Sequence, residues 1–166
     1  MKISTKILRR FVVLPEDARD TRMLLDDIGI EVKRFDAETG LFTLELLANR
    51  GDHHSYTGIA REISGRTGDG LCGPVVAPLQ AGEHPHPLVL KTVNCPLYSA
   101  TLLVRDGDAD ALANDVTDIL DAAEIHTVSP AVDATNIANL ELGQPTHCFD
   151  ADTIKGPITI REAGPG

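Results

Sequence analysis

Apolar positions along the chain recur with two periods, and the period changes wherever Gly, Pro or Asp interrupts it. In "PEDARDTRMLLDDIGIEV", Ala18, Leu25 and Ile28 fall at helical spacing with Leu24 beside them. Pro15 suits the first turn, Glu16 and Asp17 suit its positive end, and Gly29 offers a C-terminal stop. Ile30–Val32 then reads as a short extended piece, Asp36–Gly40 as a turn, and "LFTLELL" (Leu41–Leu47) as a partly alternating strand. "SYTGIAREISGRTG" predicts a helix capped by Ser55, with Ile59 and Ile63 on one face and Gly68 past its end.

From Asp69 to Pro87 the text turns rich in Gly and Pro, which predicts a linker over 69–87 between a unit at 1–68 and another at 88–166. In that second unit "LVLKTV" (Leu88–Val93), "YSATLLVR" (Tyr98–Arg105) and "GPITIREAG" read as strands. Leu112, Val116, Ile119, Leu120 and Ala123 make an amphipathic helix that Asp106 or Asp108 would cap. "TVSPAVDATNIANLELG" reads as a turn and then a short helix, starting near Thr135 and Asn136 and stopped by Gly143. The class is α+β: a small helix–strand unit, a linker, then a mixed sheet with helices packed on it.

Composition narrows the partners. The chain has 166 residues and a formal charge of −10, so any grip on phosphate would have to be local. Lys2, Lys6, Arg9 and Arg10 form the densest basic cluster and read as a solvated face. Cys72, Cys95 and Cys148 are widely spaced and odd in number, which argues against a zinc ribbon, a redox pair and a disulfide framework. Neither a signal peptide nor a run long enough to span a membrane is read, so the expectation is a soluble cytoplasmic protein.

The six histidines fall at His53–His54, in "HPHP", and singly at His126 and His147. Adjacent residues in a strand face opposite ways, so His53 and His54 are not expected to share a metal, and no metal or cofactor is expected at all. No nucleophile elbow, P-loop, dinucleotide fingerprint or HExxH is present. What stands out is "VDATNIANLELGQPTHCFDAD". Thr135 and Asn136 at a helix start, with Gln144 and His147 just past the stop, would place several donors and acceptors on one pocket. The alternative is that Asn136 and Gln144 cap helix ends and that His147 is half-buried and satisfied.

Val132–Gly166 resembles the β subunit of bacterial phenylalanyl-tRNA synthetase, whose editing module carries a "LELGQPxHAFDxDxIxG" text. "NCPLYSATLLVRD" resembles the strand that opens that module, and "NRGDHHSYTGIAREISGRTG" resembles the family's "NRxDCLSxxGIAREIA". "MKISTKILRRFV" and "LLDDIGIEVKRFD" resemble its N-terminal segment. The matches are collinear over almost the whole chain.

There are departures. Only "AETG" stands where the family inserts an oligonucleotide-binding-type domain, and the family text continues well beyond Gly166. Ile137 replaces a Tyr, and the "DCLS" positions read Asp52, His53, His54 and Ser55.

The resemblance implies that His147 lines an amino-acid pocket as a catalytic or positioning group, with Thr135, Asn136 and Gln144 binding substrate. In the family that pocket hydrolyses mischarged tyrosyl-tRNA, and its further glycines and carboxylate come from downstream text. Lys155 and Arg161 are the nearby cations for an oxyanion. Three readings follow. The first is a truncated, non-aminoacylating module that binds an aminoacyl-tRNA end, an amino acid or a partner protein. The second is a hydrolase editing mischarged tRNA in trans. The third is a repurposed accessory protein or biosynthetic enzyme acting on an aromatic small molecule. The implied partners are tRNA or an aminoacyl group, a synthetase α-like subunit, or a second copy of the chain.

Overall fold

A computed structural model describes residues 1–73, 85–104 and 114–165. The fold is α+β, and the chain forms two compact units, 1–76 with 109–148 and 77–108 with 149–166. Packing thus groups the chain differently from the linear division at 69–87, because the helices of the second half lie on the first unit's core.

In the first unit, β1 (Lys2–Ser4) runs into a single helical turn, α1 (Thr5–Leu8). Helix α2 (Ala18–Asp27) starts later than Pro15, because Asp17 is the N-cap and accepts from Arg19 N at 2.7 Å. Strands β2 (Glu31–Asp36) and β3 (Leu41–Glu45) form a hairpin, and β1 adds to the free edge of β3, giving an antiparallel order β1-β3-β2. The hairpin closes directly through residues 37–40, where Asp36 Oδ1 accepts from Glu38 N at 2.9 Å and Thr39 N at 3.3 Å. The "AETG" text is therefore a finished turn, with Asp36 opposite Leu41. A bulge between Val32 and Arg34 shifts the register of β2.

The inward residues of this sheet (Ile3, Val32, Phe42 and Leu44) are buried. Against them lie α3 (Tyr56–Thr67), α4 (Asn114–Ala122) and α5 (Pro130–Leu142) through Ile59, Ile63, Ile119, Leu120 and Ile137. Helix α3 has the ends expected of it: Ser55 accepts from Gly58 N at 3.2 Å, and Gly68 takes the left-handed conformation with φ 81°. Tyr56 stacks on Phe11 at 6.0 Å and its hydroxyl accepts from Ser4 N at 3.0 Å, which fixes α3 to the β1–α1 corner.

The second unit is built on β4 (Leu88–Leu90) and β5 (Ile158–Ile160), which pair in parallel. Residues 98–104 form no strand, contrary to the alternation of "YSATLLV"; Leu97, Leu103 and Val104 are exposed, and a strand needs a neighbour to bond. Every fully buried apolar side chain among the described residues belongs to the first unit. The proposed caps Asp106 and Asp108 lie outside the described residues.

Candidate functional site

The helix carrying the "LELG" text begins earlier than its sequence suggested. Ser129 is the N-cap of α5, accepting from Val132 N at 3.4 Å, and Pro130 takes the first helical position. Thr135 and Asn136 therefore sit inside the helix rather than at its start, half-buried. Thr135 Oγ1 donates to Val132 O at 2.7 Å, a bond within its own helix.

At the other end Gly143 adopts φ 71°, and a Cβ there would lie 3.2 Å from Ser55 Cβ and Oγ. The "LELGQP" turn is thus seated on the N-cap of α3, so two motif texts far apart in sequence meet at Ser55 and Gly143. Beyond this seat Gln144 and His147 are exposed, and Gln144 Nε2 lies 3.5 Å from Pro145 O. The rise from Asn136 to Gly143 is about 10 Å along the axis. The bonds of Thr135 and Gln144 run to their own backbone neighbours, so the helix alone does not bring the four predicted residues together. Lys155 and Arg161 belong to the other unit.

A pocket of about 170 Å³ in the first unit is lined by Phe11, Thr57, Ala60, Arg61, Leu71, Cys72 and Leu142. That is below the usual range of ligand pockets. None of Thr135, Asn136, Gln144 or His147 lines it.

Just before α3 the chain makes one 3₁₀ turn, Gly51–His54. It folds back so closely that Asp52 O occupies the space beside Gly58 Cα. The turn brings Asp52 and His53 against Glu62, one and a half turns into α3. Arg50 Nε and Nη2 donate to the two oxygens of Asp52 at 3.0 and 2.8 Å, and Nη2 also donates to Glu62 Oε1. The Arg50 guanidinium holds the Asp52 carboxyl down at about 2, and Asp52, then Glu62, raise the pKa of Arg50 in turn. His53 is 2% exposed, and its Nε2 lies 3.8 Å from Asp52 Oδ2 and 4.0 Å from Glu62 Oε1, beyond hydrogen-bond reach. Burial, then Arg50, push its pKa down, so the ring is neutral at pH 7. The sequence held this cluster in "NRGDHH" and "ARE". Reading the His pair along a straight strand concealed it.

The predicted basic cluster is engaged within the fold. Lys2 pairs with Glu124, Lys6 with Asp118 at 2.5 Å and Arg10 with Glu141 at 3.3 Å, while Arg9 donates to Leu14 O at 2.8 Å and to Pro15 O. Glu141 lies on the buried side of α5, and burial raises its pKa more than Arg10 lowers it. Its Oε1 accepts no hydrogen bond despite the 3.3 Å separation, so the pair is an electrostatic contact rather than a bonded one.

A family model described as the B3/4 domain matches residues 94–166. The chain is 31% identical over 157 residues to the phenylalanine--tRNA ligase beta subunit of Neisseria meningitidis serogroup A, covering 93% of this chain and 19% of that protein. The corresponding subunit of Aromatoleum aromaticum is 37% identical over 138 residues, 81% of this chain and 17% of that one. That of Dechloromonas aromatica is 34% identical over 157 residues, 93% and 19%. The chain spans 17–19% of the length of these relatives. Among the described residues no helix is long and apolar enough to cross a membrane.

Proposed function

We propose that this chain, a sequence relative of the phenylalanine--tRNA ligase β subunit that carries a B3/4 domain match, acts as a non-aminoacylating module that binds an aminoacyl-tRNA end. The observation that carries the reading is the seat of the "LELGQPTH" turn. Gly143 against Ser55 gives the turn a fixed base, and Gln144 and His147 then stand exposed at one edge of the first unit.

In this reading His147 and Gln144 bond the aminoacyl group, and the half-buried Thr135 and Asn136 add contacts from α5. The engagement of Lys2, Lys6 and Arg10 by Glu124, Asp118 and Glu141 supports recognition of the acylated end rather than of long phosphate backbone. An α-like subunit or a second copy of the chain would supply further contacts to the tRNA.

The test is a gel shift with phenylalanyl- and tyrosyl-tRNA at low salt, with a deacylation assay beside it. The expected result is binding that depends on the aminoacyl group, weakened about tenfold by His147→Ala, without hydrolysis. Turnover of tyrosyl-tRNA abolished by His147→Ala would make the chain a trans-editing hydrolase and overturn the proposal. Equal binding of charged and uncharged tRNA would overturn it too.

A further inference from the structure

We propose that Asp52, His53 and Glu62 form a binding site for a divalent transition-metal ion of the zinc class, with Arg50 holding the place of the cation when no metal is bound. The argument starts from His53. Its Nε2 is buried, accepts and donates no hydrogen bond, and points between two carboxylates. An orphaned buried imidazole nitrogen is unfavourable and calls for a partner. The three donor atoms, Asp52 Oδ2, His53 Nε2 and Glu62 Oε1, lie within 4.8 Å of one another.

Zinc binds such atoms at about 2.0–2.2 Å, which sets tetrahedral neighbours about 3.4 Å apart. The two separations from His53, 3.8 and 4.0 Å, need only modest contraction. A neutral ring with two carboxylates supplies two negative charges and one nitrogen donor, a set suited to a borderline divalent ion. A fourth position is left for water.

Arg50 identifies where positive charge is wanted. Its Nη2 bridges Asp52 and Glu62, as a metal would, but it leaves His53 unused. The Arg50 side chain is 30% exposed and the two carboxylates 38% and 37% exposed, so the guanidinium can swing outward and an ion can enter from solvent. The buried base of the site is fixed, because Asp52 O is wedged against Gly58 and accepts from Ser55 Oγ at 3.2 Å. This inference does not depend on the tRNA reading.

The test is titration of the full, chelator-treated chain with Co²⁺, read by its visible d–d absorption, followed by Zn²⁺ competition. The expected result is one equivalent bound, displaced by Zn²⁺. Glu62→Gln and Asp52→Asn, both on partly exposed side chains, should weaken binding by about tenfold or more while the circular dichroism is unchanged. Arg50→Ala should tighten it, since it removes the competing cation. His86→Ala, in the other unit, should leave affinity unchanged. Absence of stoichiometric binding, or a Glu62→Gln protein that binds like wild type, would overturn the proposal. So would loss of binding in His86→Ala.

Discussion

The close approach of Asp52 to Gly58 yields a paired experiment on one helix. In Gly58→Ala the new Cβ would lie 1.7 Å from Asp52 O, 2.6 Å from Asp52 C and 3.2 Å from Ser55 Oγ. The first two partners are backbone, so relief requires the 3₁₀ turn to move by about 1.5 Å to restore ordinary contact. Overpacking of this kind costs about 3 kcal/mol, against which Ala returns about 1 kcal/mol of helix propensity. The net expectation is a loss of about 2 kcal/mol or more.

Gly65, in the same helix, has nothing within 4 Å of its would-be Cβ. There Gly65→Ala should gain the propensity alone, about 0.5–1 kcal/mol. Urea unfolding followed by far-UV circular dichroism reads both, and with a slope of about 2 kcal/mol/M the midpoints should move about 1 M down and a few tenths of a molar up. A Gly58→Ala midpoint at or above wild type would refute the claim that the turn is seated on the bare face of α3.

Two further outcomes rest on buried polar groups. Tyr56→Phe leaves the buried Ser4 N–H without its acceptor and should cost about 1–3 kcal/mol in the same unfolding assay. Burial pushes the Tyr56 hydroxyl up to about 12 from 10.0, so its contribution is whole below pH 10 and is lost as pH rises toward 12; wild type should lose about 2–3 kcal/mol relative to Tyr56→Phe across that window. Glu141 is also raised by burial, so its contribution is present below the ordinary carboxylate range and lost as pH rises through its folded pKa; the stability of wild type relative to Glu141→Gln should therefore increase as pH falls from 7, and a flat difference would contradict the burial argument.

The parts of the fold that could be read from the sequence were those fixed by local chemistry. Ser55 and Gly68 bound α3 as their residue types demand, and "AETG" closes its hairpin where Asp36 can accept from two amides. Gly143 ends α5 for the same reason, in a conformation that costs other residues more. The start of α5 is less legible although Ser129–Pro130 is a sound opening pair, because Pro130 also fits a turn and the polar Thr135–Asn136 pair resembles a helix start. The strand expected at Tyr98–Arg105 failed for a different reason. Alternation records a face to bury, and exposed Leu103 and Val104 show no such burial in the described residues. The Asp52–His53–Glu62 cluster depends on a turn folding back over a helix, and no local pattern carries that. It rests on the missing side chain of Gly58.

The pairing of β4 with β5 sets an order on how this molecule forms. Residues 88–90 and 158–160 run parallel, so no hairpin can join them, and the chain between passes through the first unit to make α4 and α5. Closing a segment of about seventy residues costs about 4 kcal/mol in chain entropy if it is still unfolded, and three paired residues on each strand return little of that. Once α4 and α5 are folded, part of the intervening chain is already ordered and the remaining closure costs less. The second sheet is therefore expected to form after α4 and α5. Hydrogen exchange should find its amides, such as Lys91 N–H on Ile160 O and Ile158 N–H on Pro87 O, less protected than those of the β1-β3-β2 sheet.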